Sequence, residues 1–266
     1  MTQDFPALAV LDVGVLGSIN QDTIEHADGR IEHGLGGVLF TACALAHLGG
    51  GALRVWVLAR VHDGLAIRLR QRLDSVPGLR LDGLFQIPDP GYRCHITYDG
   101  QGGKTEVLSG DVAPLTLGRH DDGTRFPRPP ADAHRWLVPA DVVQMNAEEA
   151  RILGAPDAGT GALLDWATSL LDCGPSLVVV TRGAAGAIAA SREADGSVLH
   201  LDQAAHPVDP APGLDPTGCG DVFLGALTAA RIRGADLHTT LERASRAAAR
   251  NCLLTGIDEL HRLTRQ

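Results

Sequence analysis

Apolar runs bounded by glycine-rich turns alternate with stretches of helical period along most of the chain. Ala7–Leu16 is an almost continuous apolar run, the pattern of a strand buried on both faces. Gly37–Leu48 reads as a helix ended by Gly49-Gly50-Gly51, and Leu53–Ala59 as a second buried strand. Leu65–Leu73 has the period of an amphipathic helix with Arg68, Arg70 and Arg72 facing solvent. From Leu81 to Leu108 the texture changes to short alternating strands: Leu84–Ile87, Tyr92–Tyr98, and Lys104–Leu108 after an Asp99-Gly100 turn. A polar, proline-rich stretch then runs from Arg119 to near Pro130. Asp141–Met145 is strand-like, Ala147–Leu153 a short helix and Ala162–Leu171 a longer one. Leu177–Thr181, reading Leu-Val-Val-Val-Thr, is the strongest parallel-strand signal, followed by strands at Ala187–Ala190 and Ser197–Leu201. Two helices finish the pattern, Asp221–Arg233 stopped by Gly234, and Leu237–Leu254 with Asp236 as N-cap and Gly256 just past the end.

This alternation predicts an α/β fold, a doubly wound and mostly parallel central sheet flanked by helices, with a β-rich insertion around 82–108. In such folds the ligand sits beyond the carboxyl ends of the strands. Composition agrees with a folded chain: 266 residues, 44% hydrophobic and 21% charged, enough apolar surface to offset the entropy of ordering. A net charge of −9 and 4% aromatic residues argue against nucleic acid as the partner. Lys104 is the only lysine, so any chemistry needing an ammonium rests on it. Gly103-Lys104-Thr105 resembles the end of a phosphate-binding P-loop, but Tyr98 stands where the first glycine belongs and the segment reads as a hairpin. Cys43, Cys94, Cys173, Cys219 and Cys252 are scattered, with no paired spacing for zinc, and are expected to be reduced thiols in a cytoplasmic chain. Met1 to Leu11 carries Asp4 and no basic leader, so a signal peptide is not expected. The apolar stretch Val38–Ala59 is broken by His47, the glycine triplet and Arg54, so no membrane span is expected either.

The densest chemical signal is Asp215-Pro216-Thr217-Gly218-Cys219-Gly220-Asp221, lying directly before an apolar helix. Backbone N–H groups of Gly218, Cys219 and Gly220 would point out of the helix N-terminus and form a pocket for anionic oxygens. Glycine permits close approach of a phosphate, and Asp221 is placed to take a proton from a hydroxyl beside that pocket. Read alone, the string is also what a glycine turn with an N-terminal cap would look like.

This segment resembles the C-terminal signature of the ribokinase-like, PfkB-type carbohydrate kinases, and other segments agree with that family in order. Leu16-Gly17-Ser18-Ile19-Asn20-Gln21-Asp22 resembles its first strand and substrate-binding turn; Gly36-Gly37 resembles its di-glycine motif. Asn146-Ala147-Glu148-Glu149 matches Asn-x-x-Glu, and Thr181-Arg182-Gly183-Ala184-Ala185-Gly186 matches the nucleotide-binding turn after a strand. Taken alone, Asn146 with Glu149 is equally the layout of a capping box, and Asp22 a turn residue. The resemblance implies a single kinase domain over 1–266, with a β lid formed from about 23–34 and 82–108. It implies transfer of the ATP γ-phosphoryl group to an alcohol, with Asp221 as general base and the Gly218, Cys219 and Gly220 amides as anion hole. Asn20, Asp22, Gly36, Gly37 and Thr41 would contact the acceptor, and Asn146, Thr181, Gly183 and Gly186 the nucleotide. Glu149 would hold Mg²⁺ partly through water, and Asp215 is the candidate ligand for K⁺. The partner implied is a small-molecule acceptor (a sugar, inositol or nucleoside), with a second copy of the chain meeting it through the lid.

Two departures bear on function. The family usually carries asparagine where Thr41 stands and often a polar residue where Val38 stands, so a more apolar acceptor pocket is expected. The segment of about 109–140 is short for the family and largely polar, which leaves open a kinase-fold protein that binds nucleotide or sugar with little or no turnover.

Overall fold

The computed structural model describes residues 10–88, 91–99, 104–109, 137–208 and 214–264. Most of the shortened 109–140 segment, the turn glycines Gly100 and Gly103, and residues 7–9 of the expected first strand lie outside them. The chain divides into two compact units: residues 1–117, 211–229 and 250–266 form the first, and 118–210 with 230–249 the second. The fold is α/β with a parallel sheet and flanking helices, as the alternation predicts.

In the first unit, β1 (Leu11–Leu16), β4 (Leu53–Val61) and β5 (Leu79–Arg80) form a parallel sheet in the order β1-β4-β5. Every second residue of β4 from Leu53 to Val61 is buried, and their neighbours are half-buried, the pattern of a strand covered on both faces. The first strand departs from expectation. Leu11 is 48% exposed, and among the described residues β1 pairs with β4 alone. A helix, α1 (Val38–Gly49), is buried over nearly all its length through Leu39, Phe40, Cys43 and Leu45. The second helix, α2 (Asp63–Leu73), starts at His62, whose ring Nδ1 accepts from the Leu65 amide, and turns Arg68, Arg70 and Arg72 outward as its period predicts. Arg72 forms a bidentate ion pair with Asp258. Asp258 lies on a 3₁₀ helix, Ile257–Thr264, that sequence periodicity did not reveal; it buries Ile257, Leu260 and Leu263 and packs on α1.

A second sheet of this unit has the order β3-β2-β7-β8, from β2 (Ile19–Glu25), β3 (Ile31–Gly37), β7 (Tyr92–Tyr98) and β8 (Lys104–Ser109). Strands β2 and β3 run antiparallel, with Asn20 opposite Gly36 and Asp22 opposite Gly34. Strand β6 (Leu84–Gln86), expected among the alternating strands of the insertion, instead pairs parallel with β4 through Ala59, Arg60 and Val61. Leu84 is buried there, opposite Ala59.

The second unit carries a sheet in the order β12-β11-β10-β9, made of β9 (Val142–Asn146), β10 (Leu177–Thr181), β11 (Ala187–Arg192) and β12 (Val198–Gln203). Only β9 and β10 are parallel; β11 and β12 continue antiparallel. Helices α3 (Ala147–Ile152) and α4 (Gly159–Leu171) belong to this unit, and Ala150, Ala167 and Leu171 pack into a core with Met145, Val178, Val180 and Ile188. Helices α5 (Cys219–Ile232) and α6 (Leu237–Asn251) each carry the chain from one unit to the other. Among the described residues, no helix is long and apolar enough to cross a membrane.

Candidate active site

The first unit brings Asn20, Asp22, the di-glycine, Thr41 and the segment Asp215–Asp221 into one compact body. The di-glycine is required by what lies against it. A Cβ on Gly36 would stand 2.0 Å from the Asp22 Oδ2. Gly37 adopts φ 65°, and a Cβ there would meet the Ser18 carbonyl at 2.3 Å, so both positions exclude any side chain. The backbone thereby closes down on Asn20 and Asp22 before entering α1.

Asp22 is 6% exposed, and its Oδ1 has no hydrogen-bond partner among the described residues; the buried Asn20 Oδ1 is likewise unmet. Burial pushes the Asp22 carboxyl up to about 7, and the charges of Glu106, Asp221 and Asp215 push in the same direction. Two buried, unmet acceptors two residues apart on one face of a strand are an arrangement that a ligand offering O–H or N–H donors would complete.

Asp221 sits on the first turn of α5, where the helix dipole favours a carboxylate. The Thr41 hydroxyl, on α1, lies 3.2 Å from the Asp221 carbonyl oxygen and 3.3 Å from its Oδ1 and shares its one proton between them. The asparagine-to-threonine departure thus puts at this place a side chain that holds Asp221. Asp215 is buried; its carboxylate accepts from the Thr217 amide at 2.9 Å, and its own amide donates to the Cys252 carbonyl at 3.0 Å.

The three amides expected as an anion hole do not fare alike. The Cys219 N–H donates to the Pro216 carbonyl at 3.1 Å and is consumed in the turn. The amides of Gly218 and Gly220 find no acceptor among the described residues. Gly218 takes φ 75°, and a Cβ there would lie 2.4 Å from the Phe40 ring. The chain turns at that glycine, flat against α1.

Several residues that shape this turn escaped sequence reading. Asn251, at the end of α6, donates from Nδ2 to the Thr217 carbonyl at 2.8 Å and lies 3.3 Å from the Cys219 sulfur. Its only sequence signal is one amide closing an alanine-rich apolar stripe. Tyr98 reaches from β7 to hydrogen-bond the Thr217 hydroxyl at 2.8 Å and stacks on His26 with ring centroids 6.0 Å apart. Burial lifts its phenol to about 12, so it stays protonated. Nothing local in the strand pattern distinguishes Tyr98 from any other strand-end aromatic.

In the second unit, parallel pairing sets Thr181 directly opposite Asn146 at the carboxyl ends of β10 and β9. Asn146 caps α3: its Oδ1 accepts from the Glu148 and Glu149 amides, and Glu149 Oε2 accepts from the Asn146 amide at 2.7 Å. The capping box read from sequence therefore forms. The turn after β10 is tight, with the Arg182 amide donating to the Gly186 carbonyl at 2.7 Å. Gly186 admits no Cβ, which would stand 2.0 Å from the Gln203 carbonyl oxygen, whereas Gly183 at φ 58° has open space before it. Arg182 locks the turn through an ion pair with Asp202 and hydrogen bonds to Thr160 and the Ala185 carbonyl.

Mg²⁺ keeps much of its shell as water and phosphate oxygens and takes one or two protein carboxylates. Among the described residues no group of three acidic, histidine or cysteine side chains could hold a metal alone. Exposed Glu149 keeps one carboxylate oxygen outside the capping box, which fits a cation held by one carboxylate, water and phosphate.

A model of the family described as pfkB family carbohydrate kinase matches residues 119–260 of this chain. Among curated proteins, none matches the sequence significantly. The chain is similar in structure to ribokinase from Cryptococcus neoformans var. grubii serotype A in complex with ADP (TM-score 0.72, 18% identity), covering 95% of this chain and 96% of that one. It is similar to Arabidopsis thaliana ribokinase complexed with ribose and ATP (TM-score 0.72, 17% identity), covering 97% of this chain and 99% of that one. It is also similar to the Burkholderia thailandensis nucleoside kinase in complex with inosine (TM-score 0.69, 19% identity), covering 93% and 91%.

Proposed function

The chain belongs to the pfkB family of carbohydrate kinases, and from that membership we propose that it transfers the γ-phosphoryl group of ATP to a hydroxyl of a sugar or nucleoside. The observation supporting this most directly is Asp221, held by Thr41 at the mouth of α5 and close enough for its charge to raise the buried Asp22. Asp22 and Asn20 accept hydrogen bonds from hydroxyls of the acceptor and orient it; their unmet oxygens are what such a ligand would satisfy. Asp221 takes the proton from the attacking hydroxyl as the oxygen–phosphorus bond forms. The Gly218 and Gly220 amides, rather than three consecutive ones, stabilise charge on the phosphoryl oxygens as the bond to the ADP oxygen breaks. The Cys219 residue between them holds the turn's shape. Thr181, Gly183 and Asn146 contact the nucleotide, while Gly186 lets the turn fold back on its own strand. Glu149 would hold the Mg²⁺ that accompanies ATP, partly through water, and the ion would supply neutralisation of phosphate charge when bound. Asp215 is the candidate K⁺ ligand, and a K⁺ titration with no change in rate would discard it. Exposed Ile31, Val107 and Leu108 on the second sheet suit the proposed pairing of two copies, which sedimentation would report.

The test is ADP formation with Mg²⁺–ATP across a panel of ribose, other sugars, inositols, inosine and other nucleosides. At least one acceptor should be turned over, and Asp221→Asn should lower that turnover by about 10²–10⁴-fold. Nucleotide binding without turnover on any acceptor would overturn the proposal in favour of a binding protein.

A further inference from the structure

Two cysteines meet at the turn that carries Gly218 and Gly220. Cys219 opens α5 and Cys252 follows the last residue of α6, and their sulfurs lie 3.3 Å apart. They are separated by 33 positions, so only the tertiary fold brings them together. Asn251 Nδ2 approaches the Cys219 sulfur at 3.3 Å and fixes that side chain. The other cysteines differ: Cys43 and Cys94 are buried, and the half-buried Cys173 has no second thiol beside it among the described residues. We propose that Cys252 and Cys219 form an oxidant-reactive dithiol that closes to a disulfide under a hydroperoxide.

Geometry favours closure of the pair. A disulfide is about 2 Å long, so the sulfurs need approach by only about 1 Å. In the first step the thiolate of one cysteine attacks one oxygen of hydrogen peroxide, the O–O bond breaks, and the hydroxide released takes a proton and leaves as water. In the second, the other cysteine gives up its proton and its sulfur attacks the sulfenic acid so formed, expelling the remaining oxygen as a second water. Two thiols lose two protons and two electrons, and one peroxide takes them up as two waters.

Closing the bond drags Cys219, which lies between Gly218 and Gly220, toward the end of α6. Its consequence for catalysis, unlike the thiol chemistry, rests on the kinase reading above: displacing that residue moves the amides that would hold the phosphoryl group.

The full chain is treated with hydrogen peroxide near pH 7, quenched with an alkylating reagent and mapped by mass spectrometry. The thiols of Cys219 and Cys252 should be lost together, faster than that of Cys173, with a Cys219–Cys252 cross-linked peptide as product. In Cys219→Ala and in Cys252→Ser no cross-linked peptide should form. Oxidation of either cysteine to sulfinic acid without the cross-link, or loss of Cys173 at the same rate as the pair, overturns the proposal. Oxidised wild-type protein should form ADP at least about tenfold more slowly, recovering with dithiothreitol, while Cys252→Ser is unaffected. A disulfide with unchanged turnover refutes the coupling to the turn and leaves the kinase reading standing. If no acceptor is turned over by reduced protein, the kinase reading fails and the cross-linked peptide alone decides the dithiol.

Discussion

Asp22→Asn should make the protein more stable in alkaline buffer and at the same time disable it. Asp22 is 6% exposed, with one carboxylate oxygen unmet, and its carboxyl is raised from 3.8 to about 7. Between those two pH values the native state keeps a proton that the unfolded chain has lost, so stability falls as pH climbs through that window and is highest below it. At about 1.4 kcal/mol per pH unit the ceiling is about 4 kcal/mol. Water entry and relaxation around the charge reduce it to about 1–2 kcal/mol. Asparagine keeps the shape and never ionises. Thermal unfolding of the variant at pH 8 should therefore lie about 3–6 °C above wild type, and the two should coincide near pH 4. Because Glu106 is exposed, added salt should weaken only its share of the effect and leave the part due to burial. Affinity for the acceptor should fall in the same variant, since an amide cannot present two acceptor oxygens to its hydroxyls. Wild-type and variant stabilities that track each other from pH 5 to pH 8 would show that Asp22 does not titrate there and that its burial does not hold a proton on it.

Gly218→Ala forces a side chain onto φ 75° and into the Phe40 ring, so a loss of about 2–4 kcal/mol, read by urea unfolding, should accompany loss of turnover. A variant of wild-type stability would show that the turn gives way cheaply. Thr41→Val removes the hydroxyl that holds Asp221; kcat should drop about tenfold with KM for ATP unchanged, and Thr41→Ser should restore it. Equal losses in both variants would point to packing instead. Tyr98→Phe deletes the hydrogen bond to Thr217 and should lower stability by about 0.5–1.5 kcal/mol, measured by chemical unfolding, with the stacking on His26 retained.

Some of this molecule could be read from residue order alone because the physics involved is local. Leu177–Thr181 is five residues that must be hidden from water, and it forms the predicted strand with four of them fully buried. Asn146 and Glu149 stand three apart at a helix start and close their capping box. Asp215–Asp221 is a turn whose glycines and acids are consecutive, so its place before α5 was legible without coordinates. Gly36-Gly37 was legible as a motif, but its reason was not: the contacts that exclude a side chain come from Asp22 on the paired strand and from Ser18 just before it.

What escaped the sequence depends on partners distant along the chain. The apolar run at the start of the chain looks like a strand covered on both faces, yet Leu11 is exposed, because burial depends on what the folded chain lays over each face. Leu84–Gln86 has the alternation of an insertion strand, and only pairing with Ala59–Val61 assigns it to the parallel sheet. Whether an amide is available to a ligand depends on the carbonyl opposite, and Pro216 takes the one at Cys219. Thr41 above Asp221, Tyr98 on Thr217, and Cys252 beside Cys219 are each joined across more than thirty positions. Residue order determined the elements and the motif, since periodicity and turn chemistry act between neighbours. Tertiary packing decided burial, proton affinity and which donors remain, since those depend on what the folded chain lays against each group.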